Sequence, residues 1–314
     1  MAQVTTHALS TNPYINALTA GGPIWTGGPI TYFFDTPGGA AWNDYEMAQM
    51  RKAMASISAV ANVTFQEVST GAEANLKLRQ ISGGSNDPGW QELPYQHAGD
   101  NQTIITFNYQ KTGWDYSDTN GGLSVGGLGY FYMLQKLGFA LGLAQPHDNL
   151  NGSPQFPGVT QGDANDIGDN DAAIDVFTVM AATGHGGATK PVSGGPGQDN
   201  YGYVGGPMAL DIAALQFLYG VRASNAGSTT YMLKDGVAPG VYWTSIWDSG
   251  GTDTIAYGGS GEAVIDLRAA TLNSDDYVGG YLSRVGSFGG FTIAKGVVIE
   301  NARGGSAADA ITGN

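Results

Sequence analysis

Apolar positions recur at helical spacing in three stretches of the chain. Over 45–61, Met47, Met50, Met54, Ile57 and Val60 return every three or four residues, which predicts a helix with one buried stripe. A second helix is predicted over 128–143, halted at Gly142. A third spans about 207–219, where Leu210, Ala213, Ala214, Phe217 and Leu218 share a face. Between them, runs rich in Ile, Val, Phe and Leu predict strands at 30–34, 63–68, 76–81 and 103–109. A loop rich in Asp, Asn and Gly fills 147–173. Beyond about residue 222 the helical period disappears, leaving short β runs punctuated by Gly-Gly and Asp-Gly. The pattern predicts an α/β domain over 1–221, with helices packed on a mixed sheet. An all-β region follows over 222–314, with the glycine and aspartate spacing of a parallel β-roll.

Composition narrows the function classes. Of the 314 residues only 13% are charged, and the formal net charge is −14. That balance argues against nucleic acid and anionic membranes as partners and suits a protein that collects a hard cation. With no cysteine, disulfides, thiolate metal sites and cysteine nucleophiles are excluded. No apolar run approaches the ~18 residues of a membrane span. The first thirty residues lack the basic start and apolar core of a cleaved signal peptide. Export, where it occurs, is expected to follow a route not read from the N-terminus.

Six blocks in order carry a family resemblance. They are Ala-Asn-Val-Thr-Phe-Gln-Glu-Val at 61–68, Phe-Ala-Leu-Gly-Leu-Ala-Gln-Pro-His-Asp at 139–148 and Phe-Thr-Val-Met-Ala at 177–181. Further on come Asp-Ile-Ala-Ala-Leu-Gln-Phe-Leu-Tyr-Gly at 211–220, Ile-Trp-Asp-Ser-Gly-Gly-Thr-Asp-Thr-Ile at 246–255 and the glycine-aspartate run at 299–309. Together they resemble serralysin-type metalloproteases of the metzincin class. The resemblance implies a zinc helix ending in a glycine turn, a methionine turn at Met180, a calcium-binding β-roll and secretion.

The zinc chemistry itself does not carry over. Zinc hydrolysis on that scaffold needs two histidines at i and i+4, a third beyond the glycine turn, and a glutamate as general base. Aligned on the glycine turn, Gln135 and Phe139 stand at the helix histidines, Gln145 at the third ligand and Lys136 at the glutamate. An amide is a poor zinc ligand, a phenyl ring is none, and an ammonium repels a dication. The tyrosine expected after the methionine turn is Ala182. No zinc is therefore expected.

Other chemistry in this cleft stays open. His147 and His185 with Asp148 form a conceivable second metal set, against the plainer reading of exposed loop histidines; His7 and His97 read as incidental. Lys136, flanked by Tyr130, Tyr132 and Phe139, is a candidate base or Schiff-base nucleophile if desolvated, against an outward or salt-bridged lysine. The catalytic candidates of a metal-free enzyme are thus Lys136, Gln135, Gln145, Tyr132 and His147. No Gly-x-Ser-x-Gly elbow or nucleotide fingerprint is present, and the glycine-rich 121–127 lacks the Lys-Ser/Thr ending of a phosphate loop.

Calcium has better candidates. Asp248 and Asp253 bracket Gly250 and Gly251, a spacing that turns carboxylates and carbonyls toward one point; the alternative is a Gly-Asp turn without an ion. The run 304–312 fits the nonapeptide Gly-Gly-x-Gly-x-Asp-x-U-x, with Ala307 at the third glycine and Asp309 as its ligand. It reads as the one repeat present. The acidic loop 163–175 is either a further calcium loop or simply solvated.

The expectation is a secreted, calcium-stabilised and non-proteolytic serralysin-like protein. Its old cleft would bind an extended peptide along the edge strand 103–109, a carbohydrate or a small molecule. The alternatives are a metal-free lyase, isomerase or hydrolase built around Lys136, and an adhesion module in a longer repeat-bearing chain.

Overall fold

The computed structural model describes residues 1–36, 41–82, 101–115, 119–149, 152–182, 199–273 and 278–314. His97 and His185 lie outside them. Three elements that the hydrophobic pattern did not mark come first: β1 (Gln3–Thr6), α1 (Pro13–Ala17) and β2 (Pro23–Thr26). β1 pairs with β2 antiparallel, and Asn12 caps α1 by accepting from the N–H groups of Tyr14 and Ile15. These pieces are too short for a detectable period; their tertiary contacts hold them.

β3 (Ile30–Asp35), β4 (Phe65–Glu67), β5 (Leu76–Ile81) and β6 (Thr103–Asn108) form a sheet in the order β4-β3-β5-β6. The expected mixed sheet is, over the described residues, parallel throughout. Each connection returns the chain to the same end of the sheet, first through α2 (Asp44–Ser58). Asn43 and Glu46 close a reciprocal capping box on α2, and Met50, Ala53, Met54 and Ile57 are its buried stripe. α2 stops short of residue 61 because Ala61 leaves to bridge Val221.

Asn75 joins the sheet to the N-terminus. Fully buried, it accepts from Ala2 N and Thr31 N through Oδ1, and donates to Ala2 O and Asn101 O through Nδ2. Asn75→Ala leaves these groups without partners and is expected to cost about 3 kcal/mol, read as a lower urea midpoint at unchanged slope.

α3 (Leu128–Ala140) is apolar on nearly every side and buried accordingly, as a central core helix must be. α4 (Ala209–Tyr219) follows the methionine turn. Within these elements no helix is long and apolar enough to cross a membrane among the described residues.

The rest is all-β: β7 (Thr230–Met232), β8 (Trp243–Ile246), β9 (Thr254–Ala256), β10 (Ala263–Asp266), β11 (Tyr281–Arg284), β12 (Gly290–Ile293), β13 (Asn301–Arg303) and β14 (Ala310–Thr312). One sheet, β13-β9-β7, is parallel. The other, β14-β10-β11-β12-β8, is parallel at its outer pairs, whereas β10, β11 and β12 form an antiparallel meander. Parallel stacking is thus one part of this region, because the β11–β12 connection is a tight reversal through Gly286 at φ 84°. The β region meets the helices where Gly205 N donates to Trp243 O and Trp243 N to Tyr203 O. There Tyr242 lies against Gly126 and Gly205, with no room for a Cβ at either glycine.

Candidate functional site

The candidate site is built on α3 and the turn around Met180. Gln135 and Phe139 lie one turn apart, and both are buried. The Gln135 amide Nε2 donates to Val179 O at 3.2 Å and to Ala181 O at 3.0 Å, the two carbonyls flanking Met180. Both of its N–H groups are thereby directed into the methionine turn. Met180 is fully buried beneath the helix, and a Cβ at Gly138 would fall 2.6 Å from its sulfur. Helix and turn therefore touch directly, so close an approach being possible only at glycine.

Lys136 is 8% exposed, with Nζ 5.6 Å from the Phe139 ring centroid. That geometry is a cation–π contact, which favours the charged ammonium. Tyr132 is half-buried beside Phe131, at 5.6 Å between ring centroids. Gln145 is half-buried beyond the glycine turn. Gly142 makes that turn at φ 89°, where a side chain would run into the Pro23 carbonyl.

The unforeseen N-terminal elements hold this turn in place. Trp25 Nε1 donates to Ala140 O, Ala20 N to Gly142 O and Ala144 N to Leu18 O. Tyr219 of α4 donates its hydroxyl to Leu141 O. A second unforeseen residue is Asp211, wholly buried at the start of α4. Its carboxylate accepts from Thr178 Oγ1 at 2.6 Å, Val179 N at 2.7 Å and Met208 N at 2.8 Å, tying the methionine turn to α4. The third position of a helix is the sequence signal for such a cap, but its second role as a brace for the turn is visible only in three dimensions.

His147 stands beside Asp148, with Nε2 3.7 Å from Oδ1. Burial raises the Asp148 carboxyl above its ordinary range, opposed by His147 and by the backbone N–H bond to Gln145. In the acidic loop, Asp166 accepts from Thr160 N and Gly168 N, and Asp163 from Asn165 N. The bond with Thr160 is the main reason that Asp166 ionises more readily than usual. Among the described residues no grouping of three or more His, Asp or Glu side chains is arranged to hold a metal.

The 248–253 loop has a different character, because its two acids are almost wholly buried. Asp248 is 4% and Asp253 1% exposed. Asp248 accepts from Gly250 N and from the Tyr231 hydroxyl. Burial, and then the bond to Asp248, hold the Tyr231 phenol protonated far above its usual range. Asp253 Oδ1 accepts from Thr229 N, while Oδ2 is buried without a hydrogen-bond partner. Gly250 and Gly251 have φ of 136° and 137°, conformations open to glycine. Glu300, absent from the sequence candidates, accepts from Asp253 N at 2.7 Å. An orphaned buried carboxylate oxygen in a glycine-hinged loop fits a calcium ion. Asp309 has both oxygens accepting from backbone N–H groups, as Asp248 has its two engaged by Gly250 N and the Tyr231 hydroxyl, so the open oxygen of the loop is that of Asp253.

Comparison with known proteins gives the same family on independent grounds. Residues 209–314 match the family described as "Peptidase M10 serralysin C terminal". Metallopeptidase AprA of Pseudomonas marginalis is 30% identical over 88% of this chain and 56% of its own length. Metalloprotease AprA of Pseudomonas entomophila is 29% identical over 87% of this chain and 54% of its own. Serralysin G of Dickeya chrysanthemi is 29% identical over 95% of this chain and 63% of its own. The chain thus spans little more than half the length of the curated relatives it matches. With a methionine turn packed on a glycine-ended helix, the chain is similar to serralysin-type proteins along most of its length.

Proposed function

We propose that this chain is a secreted, calcium-stabilised and non-proteolytic serralysin-type protein whose former substrate cleft binds rather than cleaves. The observation that carries the reading is the Gln135 amide, bonded to both carbonyls beside Met180. A zinc ligand at that position must turn a lone pair outward, whereas this side chain turns its donors inward. Phe139 and the Lys136 ammonium occupy the other places that need an imidazole and a carboxylate.

The division at residue 221 and the roll character of 222–314 are parts of the same proposal, supported by the parallel sheet β13-β9-β7. When bound at the 248–253 loop, calcium supplies charge neutralisation for buried carboxylates; Asp248, Asp253 and backbone oxygens near Gly250 and Gly251 would hold it. The cleft offers β6, at one end of the sheet among the described residues, to an extended peptide. Half-buried Tyr132 offers a ring face to a carbohydrate or small molecule.

The alternative, a metal-free enzyme using Lys136, draws on the burial of that lysine. Its contact with Phe139 works against it, because a nucleophilic lysine must shed the proton that the ring face favours. Incubation with casein in calcium and added zinc is expected to give no cleavage. Robust cleavage that is abolished by Gln135→Ala would overturn the proposal.

A further inference from the structure

The nonapeptide run over 304–312 has a degenerate companion. Residues 258–266 read Gly-Gly-Ser-Gly-Glu-Ala-Val-Ile-Asp and follow the same pattern, with Ala263 where the other run has Asp309. β10 and β14 pair in parallel with Val264 opposite Ala310 and Ile265 opposite Ile311, so the two runs stack position on position. In a turn stack of this kind an ion would sit between successive glycine turns, held by their carbonyls and carboxylates.

We propose that these two turns are locked to each other by protein hydrogen bonds in place of an ion, leaving the 248–253 loop as the calcium site. The proposal rests on the calcium reading of that loop. Asp309 Oδ1 accepts from Ala263 N of the opposite turn at 2.8 Å, and Oδ2 from Gly305 N of its own turn at 2.7 Å. The Gly259 carbonyl, which an ion would need, accepts from Ser306 N at 3.0 Å. Above the turns, Tyr257 N donates to Arg303 O at 2.9 Å.

Calcium requires six to eight oxygens, each about 2.3–2.6 Å from the ion. Here an N–H fills the gap between the turns, and a Cβ on Gly305 would already run into Gly259 O. With Ala263 in the first turn, the pair also has one carboxylate where two would face an ion. The contrast is with Asp253 alone, whose Oδ2 is buried and unpartnered, whereas Asp309 uses both oxygens on backbone N–H groups and Asp248 uses both on Gly250 N and the Tyr231 hydroxyl.

Native mass spectrometry with calcium chloride, and thermal melting in chelator and in calcium, test this on the full chain. The wild type and Asp309→Asn are expected to bind one calcium each, and Asp253→Asn none. Asp309→Asn should melt about 2–5 °C below the wild type in chelator and in calcium alike, since one of the two acceptor oxygens of the latch is replaced by a donor in both. Loss of one calcium in Asp309→Asn, or an unchanged melting temperature in chelator, overturns the proposal. Should the wild type bind no calcium, the reading of the 248–253 loop fails, while melting of Asp309→Asn in chelator still decides the latch.

Discussion

Replacing Asp211 with alanine is expected to lower the unfolding free energy by about 3–4 kcal/mol. The wholly buried carboxylate accepts from the Thr178 hydroxyl and from the N–H groups of Val179 and Met208, and alanine leaves all three donors buried without an acceptor. The turn around Met180 would loosen first, because only its neighbours Thr178 and Val179 are anchored in this way to α4. Chemical denaturation measures the loss.

The same residue gives a pH dependence with a definite sign. Burial raises the Asp211 carboxyl from 3.8 to about 6, against the pull of Thr178 and the surrounding backbone N–H groups. The folded state therefore holds this proton more tightly than the unfolded chain. Its contribution is complete below about pH 4 and is lost as the pH rises toward 6, an effect of roughly 3 kcal/mol. Asp211→Asn has no such titration. Between pH 4 and 7 the wild type should lose about that much stability relative to the asparagine variant. Parallel pH profiles for the two proteins would contradict this account of the buried carboxylate.

Calcium is expected to have the other large effect. At a hundred times its dissociation constant, an ion bound only by the folded state adds about 2.7 kcal/mol, which raises the melting temperature by roughly 5–10 °C. Asp253→Asn should cancel the increment, because the buried Asp253 Oδ2 is the oxygen left for the ion. Magnesium should not substitute, since it demands a smaller octahedral shell and dehydrates reluctantly. Sodium chloride at matched ionic strength controls for screening of the −14 net charge. A melting temperature that rises equally with sodium, or rises in Asp253→Asn as in the wild type, would count against the loop.

What the sequence disclosed follows from the length scale of each signal. α2 carries a full amphipathic period and α4 a dense apolar run, and their positions were legible to within two or three residues. β5 was legible from residue 76 to 81. The short elements β1, α1 and β2 carry no period, yet they clamp the glycine turn through Trp25 and Ala20. The residues proposed for the zinc positions could be aligned by spacing alone. The inward bonding of Gln135 could not, because an amide on a helix face reads equally as outward or inward. Glu300 lies 47 residues from its partner Asp253, beyond any local pattern. The second nonapeptide turn escaped notice because Ala263 replaces the aspartate that defines the motif, and only the pairing of β10 with β14 displays the register. The motif marks Asp309 as a calcium ligand, whereas its two backbone bonds support the proposed latch.

The proposed loss of the zinc site is the point on which the functional reading turns. Dialysis of the full chain against a zinc-buffered, calcium-containing solution, followed by elemental analysis, addresses it directly. The account predicts less than a tenth of a zinc per chain, unchanged by Gln135→Ala, with calcium retained. Stoichiometric zinc that disappears on substituting Gln135 or Gln145 would contradict it.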